Sequence, residues 1–191
     1  MIIHFTSART SVVKDIETLR KVVSVIHRSG YTLARDWIEP QYHILKSGTG
    51  SDINSEQIYT TNIDAIERSD LVIIEGTEKS FGLGFQVATA LHKKKPVLLL
   101  TKRVSSASRG YLSRGIKDPL LTRKEYGDND LEKIVGDFIK DNMIKNKDLR
   151  FNFVIDRQIY NHLRWRSFKS GKTKAEVVRD LLLKDLEDKK D

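Results

Sequence analysis

Along the first three quarters of the chain, apolar residues alternate between short unbroken runs and longer stretches spaced by three and four. Ile2-Ile3-His4-Phe5, Leu71 to Ile74 and Pro96 to Leu100 are runs of the first kind, which strands buried on both faces require. Ile16, Leu19, Val22, Val23 and Ile26 repeat at helical spacing and stop at Ser29-Gly30, after which Tyr31 to Ala34 predicts a short strand. Leu120 to Tyr126 predicts a fifth strand, and Leu131, Ile134, Val135, Phe138 and Ile139 form the inner stripe of a closing helix. This alternation predicts an α/β fold, a Rossmann-like parallel sheet with helices on both faces and ligands at the carboxyl ends of its strands. Trp37 to Asp52 has no clean period and is punctuated by Pro40, Gly48 and Gly50, so it is expected to be a mobile loop over the pocket.

The pattern changes after Lys140 to Asp148, a polar, charge-rich stretch that marks a domain boundary, giving domains at 1–146 and 147–191. Beyond it, Phe151, Phe153 and Ile155 alternate with Arg150, Asn152 and Val154, as in a short strand with one apolar face. Helical spacing follows in Ile159 to Phe168 and in Ala175 to Leu186, separated by Gly171 and by Thr173 with Glu176 as a capping box. This tail resembles a ribbon-helix-helix domain over nearly its whole length. The resemblance implies a homodimer with a paired ribbon, Arg150, Asn152 and Val154 facing DNA bases and the Thr173 and Lys174 backbone clamping phosphate. A tail that serves only to dimerise stays open beside it.

Candidate chemistry concentrates between Ser69 and Val97, where a buried strand leads into Ser80-Phe81-Gly82-Leu83-Gly84-Phe85-Gln86 and then a helix. Gly82 and Gly84 allow a tight turn or a close backbone approach, and the following helix start offers free N–H groups to an anion. The stretch resembles the nucleoside 2-deoxyribosyltransferase family, most closely its 2'-deoxynucleoside 5'-monophosphate N-glycosidase branch. In that family a glutamate ends the motif and attacks the anomeric carbon, yet position 86 here is Gln86. The family's catalytic aspartate falls on Asn62, with Asp64 the alternative if the register shifts. An amide neither forms a glycosyl ester nor exchanges protons as a carboxylate does. No catalytic residue is therefore assigned, and a nucleotide-binding pseudoenzyme acting as a ligand-responsive transcriptional regulator is expected. The alternatives are an active N-glycosidase using Glu75, Asp36 or Asp64, and an antitoxin-like protein-interaction regulator. By the same resemblance His4, Ser7 and Arg9 line the pocket after the first strand, and Ser80 and Ser113 contact the 5'-phosphate of a nucleoside monophosphate. A homodimer or tetramer is implied.

Composition constrains this picture without deciding it. A formal net charge of +8 favours an anionic partner, and from Arg150 onward eleven Lys and Arg stand against seven Asp and Glu, which suits DNA. The absence of cysteine excludes disulfides and thiol catalysis, and the five histidines do not converge on a metal site. No cofactor, metal or membrane association is expected. With neither a signal segment nor a membrane-length apolar run, a cytoplasmic location is expected.

Overall fold

The computed structural model describes residues 1–48, 54–78, 80–103, 115–145 and 154–188. The chain divides into two compact units, Met1–Lys147 and Asp148–Asp191. In the first, strands β1 (Ile2–Ser7), β2 (Thr32–Leu33), β3 (Leu71–Glu75), β4 (Val97–Lys102) and β5 (Leu121–Tyr126) build one sheet in the order β2-β1-β3-β4-β5. All four pairings are parallel. The order reverses between β1 and β3, the switch point where a crevice opens above the strands' carboxyl ends.

The described residues of this unit form helices α1 (Arg9–Lys14), α2 (Ile16–Arg28), α3 (Ile38–Ser47), α4 (Ser55–Arg68), α5 (Phe81–His92) and α6 (Leu131–Lys145). Side-chain alternation along the strands divides the core in two. Ile3, Phe5, Leu71, Ile73, Leu98 and Leu100 pack toward Val22 and Ile26 of α2, Ile38 of α3 and Val135 of α6. Val72, Ile74 and Val97 pack on the other face, against Ile66 of α4 and Leu83, Val87 and Leu91 of α5. Ile3 to Ser7 pair with Leu71 to Glu75 residue by residue, so His4 faces the α4/α5 layer while Ser7 and Glu75 face the α2/α6 layer. That division of faces decides what the functional residues can reach.

Two local expectations change. Ile38–Ser47 is a helix rather than a loop. Pro40 sits in its first turn, where the missing N–H has no intrahelical partner to lose, and Gly48 ends it at φ +67°. Ile38, Tyr42 and Leu45 then face the core at helical spacing, and Trp37 Nε1 donates to the Phe5 carbonyl at 2.9 Å. Gly82 and Gly84 do not form a turn but lie in the first turns of α5, with no positive φ.

The second unit holds α7 (Arg157–Ser170) and α8 (Lys174–Asp188), joined through Gly171 at φ +69°. Thr173 Oγ1 and Glu176 Oε2 lie 2.8 Å apart, and the Glu176 N–H donates to that hydroxyl, so the capping box forms. Val154 to Asp156, the described end of the expected ribbon, has no strand pairing; Arg150 and Asn152 lie outside the described residues. No described helix is long and apolar enough to cross a membrane.

Ile73 is fully buried at the centre of the sheet. Ile73→Ala should therefore cost about 2–5 kcal/mol, read as a lower urea midpoint at unchanged slope. A loss below about 1 kcal/mol would contradict the packing described.

Candidate active-site cleft

α4 and α5 carry the two residues expected at the catalytic positions, and both stand on inward stripes. On α5 the buried positions are Leu83, Gln86, Val87, Ala90 and Leu91, so Gln86 occupies the apolar face and points at the sheet. Its Oε1 lies 3.0 Å from His4 Nε2 on β1, and both residues are buried. On α4, Asn62 precedes the buried Ala65 and Ile66 by three and four residues, and its Oδ1 accepts from Arg35 at 2.8 Å. Asn62 and Gln86 line one cleft of about 620 Å³ with Ser55, Ile58, Tyr59, Ile63, Phe81, Gly82 and Phe85. Its walls are apolar and aromatic: Tyr59 and Phe85 rings lie 5.8 Å apart, and Phe81 is 94% exposed. A planar base can stack on such rings while the few polar groups fix its orientation.

Burial pushes the His4 pKa down, the hydrogen bond with Gln86 opposes this and the charge of Arg35 reinforces it, so the ring stays below its ordinary 6.5 and is neutral at pH 7. His4 meets Gln86 through Nε2, and His4 Nδ1 is buried without a hydrogen-bond partner among the described residues.

A different polar cluster occupies the opposite face. Glu75 is buried at the end of β3 and accepts from Ser7 (3.2 Å), Ser11 (3.4 Å), Tyr126 (3.1 Å) and the Thr77 N–H (3.0 Å), and also from the Thr77 hydroxyl. Burial and the negative charge of Glu75 push the Tyr126 hydroxyl well above its ordinary range, which keeps it a donor. Ser7 accordingly turns toward Glu75 and does not line the cleft that holds Asn62 and Gln86. Arg9 is exposed at the start of α1, and Ser80 precedes α5 with its hydroxyl making no capping bond. Ser113 lies outside the described residues. In the second unit, Lys174 Nζ is 3.3 Å from the Tyr160 hydroxyl and 4.6 Å from its ring centroid, and Val154 is fully exposed.

Sequence reasoning missed Arg35 and the aromatic wall of Tyr59, Phe81 and Phe85. A usable signal existed for the wall: Phe81 and Phe85 are four apart on the helix that begins the motif. Arg35 carried none, because its contact with Asn62 spans 27 residues. Among the described residues no cluster of His, Asp or Glu could hold a metal ion.

No family model matches the chain. Over 126 residues it is 30% identical to 2'-deoxynucleoside 5'-phosphate N-hydrolase 1 of Methanosarcina mazei, which covers 65% of this chain and 75% of that protein. The chain belongs to the 2'-deoxynucleoside 5'-phosphate N-hydrolase family. It is also 24% identical over 144 residues to the 5-hydroxymethyl-dUMP N-hydrolase of Esox lucius, covering 73% of the chain and 97% of the relative. The solved Clostridium botulinum CMP N-glycosidase superposes with a TM-score of 0.49 at 16% identity, over 73% of this chain and 99% of that one.

These relatives overturn the expectation of a silent, nucleotide-sensing regulator, since those that the chain matches are hydrolases by name. The amides at 62 and 86 alter what lines the cleft within a family of enzymes. Inferring lost activity from two positions gave too little weight to the rest of the domain.

The buried neutral imidazole makes stability depend on pH. Because the folded pKa of His4 lies below the unfolded value near 6.5, its contribution is full above that pH and is lost as pH falls toward the folded value. Chemical denaturation between pH 7.5 and 5 should show this loss in the unaltered protein and a smaller one in His4→Phe. Identical slopes in the two would contradict a buried neutral His4.

Proposed function

We propose that the Met1–Lys147 unit is an enzyme that cleaves the N-glycosidic bond of a nucleoside 5'-monophosphate. The observation that carries this reading is the placement of Asn62 and Gln86, 24 residues apart in sequence, on one aromatic-walled cleft beside the β1/β3 switch point. The named activities of the Methanosarcina mazei and Esox lucius relatives support it. In this reading the base stacks against Phe81, Phe85 and Tyr59, the phosphate lies toward Ser80 and the start of α5, and Gln86 stands at the anomeric carbon.

An amide at position 86 forms no glycosyl ester, so the chemistry is direct hydrolysis. The C1'–N bond breaks, water supplies the new C1'–O bond, and the base leaves with a proton. Gln86 and Asn62 orient the sugar and the water, while a carboxylate accepts the water's proton. Of the three candidates, Glu75 faces the other side of the sheet with its lone pairs taken by five donors. Asp64 is exposed and paired with Arg68 at 2.7 Å. Asp36 remains: it is exposed and follows Arg35, whose guanidinium bonds Asn62 at the cleft. We assign the general-base role to Asp36.

The test is chromatographic detection of free base from the four common nucleoside 5'-monophosphates. Base release above the buffer blank is expected, and Asp36→Asn should lower it by about 100-fold or more. Gln86→Glu should raise it about tenfold by restoring an oxygen nucleophile beside the His4 N–H. No release by the unaltered chain from any of these nucleotides would contradict the reading, and full activity in Asp36→Asn would move the base elsewhere.

The second unit is proposed to join two copies of the chain. Among its described residues only Leu163 and Val177 are buried apolar side chains, whereas Ile159, Phe168, Leu181, Leu182 and Leu183 are exposed. Two helices with so small a core do not persist alone, and a second copy covering those faces is the simplest completion; the ribbon-helix-helix resemblance supports the same pairing. Sedimentation equilibrium should give a dimer or tetramer for the full chain and a smaller assembly after deletion beyond Asn146. An unchanged assembly state would contradict this role.

A further inference from the structure

Charge in the second unit is not shared evenly between its two helices. α7 carries Arg157, Arg164, Arg166 and Lys169 with no acidic residue along its length, whereas α8 carries three Lys and Arg against five Asp and Glu. Lys172 pairs with Asp180 at 2.8 Å, but none of the four α7 cations is in an ion pair among the described residues. His162, Trp165, Arg166 and Lys169 are spaced by three and four and so share one face, which with Ser170 lines a depression of about 390 Å³. Lys169 Nζ stands 5.1 Å from the centre of the Trp165 ring, and the His162 ring lies 5.9 Å from it at a tilt of 35°. Trp165 is 55% exposed. Two positions after the buried Leu163, it points to nearly the opposite side of the helix, so packing through Leu163 leaves it free.

We propose that this face of α7 binds single-stranded nucleic acid. An unpaired base offers an open π face that stacks on Trp165, while the phosphodiester chain meets Arg166 and Lys169 with no carboxylate on the helix to repel it. A duplex keeps its bases stacked inside and gives the ring no partner. A helix lying on a membrane needs a continuous apolar face, whereas here cations flank the tryptophan at positions 164, 166 and 169. All of these residues lie on α7, so the site differs from the base-reading ribbon that the ribbon-helix-helix resemblance implies. It is built wholly from the second unit and is independent of the activity proposed for the first.

Fluorescence anisotropy of a labelled single-stranded oligothymidylate titrated with the full-length protein tests this, with its duplex with oligoadenylate and phosphatidylserine vesicles as separate arms. Single-strand binding that weakens steeply as salt rises is expected. Trp165→Ala should weaken it about tenfold, and Trp165→Phe, which keeps a ring to stack on, by much less. Lys169→Glu should weaken it more than Lys21→Glu, which makes the same change in charge at an exposed position of α2 in the first unit. Residues 165, 169 and 21 are all exposed, so these variants keep the fold. A single strand that does not bind at low salt, that binds no more tightly than the duplex, or that loses as much affinity in Lys21→Glu as in Lys169→Glu would overturn the proposal. Binding to the vesicles in place of the oligonucleotide would overturn it as well and assign the face to a membrane surface.

Discussion

A single buried carboxylate ties together the carboxyl end of the sheet. Glu75 accepts from β1 through Ser7, from α1 through Ser11, from the segment after β3 through Thr77 and from β5 through Tyr126. Thr77 extends the network to β4, since its hydroxyl accepts from the Lys102 N–H at 2.7 Å. Four strands and a helix thereby converge on one buried carboxylate whose oxygens are met by these donors. The segment leading into α5 starts from this anchor, and the position of α5 determines where Gln86 meets His4. The geometry of the α4/α5 face thus depends on a polar network on the opposite face.

The two faces of the sheet also differ in polarity. The face toward α2 and α6 is mostly apolar, with Glu75 met by several donors. The face toward α4 and α5 includes an imidazole whose Nδ1 is buried without a hydrogen-bond partner among the described residues. Unmet hydrogen-bonding capacity in a nearly buried site is costly in the free protein and is relieved by a ligand of matching polarity.

Most of the architecture was legible because its causes are local. Unbroken apolar runs at Leu71–Ile74 and Val97–Leu100 announce buried parallel strands, and the three-and-four spacing of α2 and α6 announces their cover. The weak period of Trp37 to Asp52 with Pro40, Gly48 and Gly50 points to a loop, yet Ile38–Ser47 is helical, because a proline in a first helical turn costs little and Gly48 ends the helix. The cleft was half legible. Asn62 and Gln86, singled out by resemblance, both line it, whereas the face on which Ser7 stands follows from β-alternation, which was not applied to it. The Arg35–Asn62 and His4–Gln86 contacts span 27 and 82 residues and have no local signature. The functional reading went furthest astray where two side chains were allowed to outweigh a domain-wide relationship.

Hydrolysis in water enriched in oxygen-18 tests the central claim most directly, because it follows the bond that forms as well as the one that breaks. A nucleoside 5'-monophosphate cleaved by the protein should give free base and a pentose 5-phosphate. Mass spectrometry immediately after quenching should find one heavy oxygen at C1 beyond the uncatalysed exchange of a pentose 5-phosphate control. Nucleotide recovered intact, or a pentose 5-phosphate with no more label than the control, would contradict direct hydrolysis at this cleft.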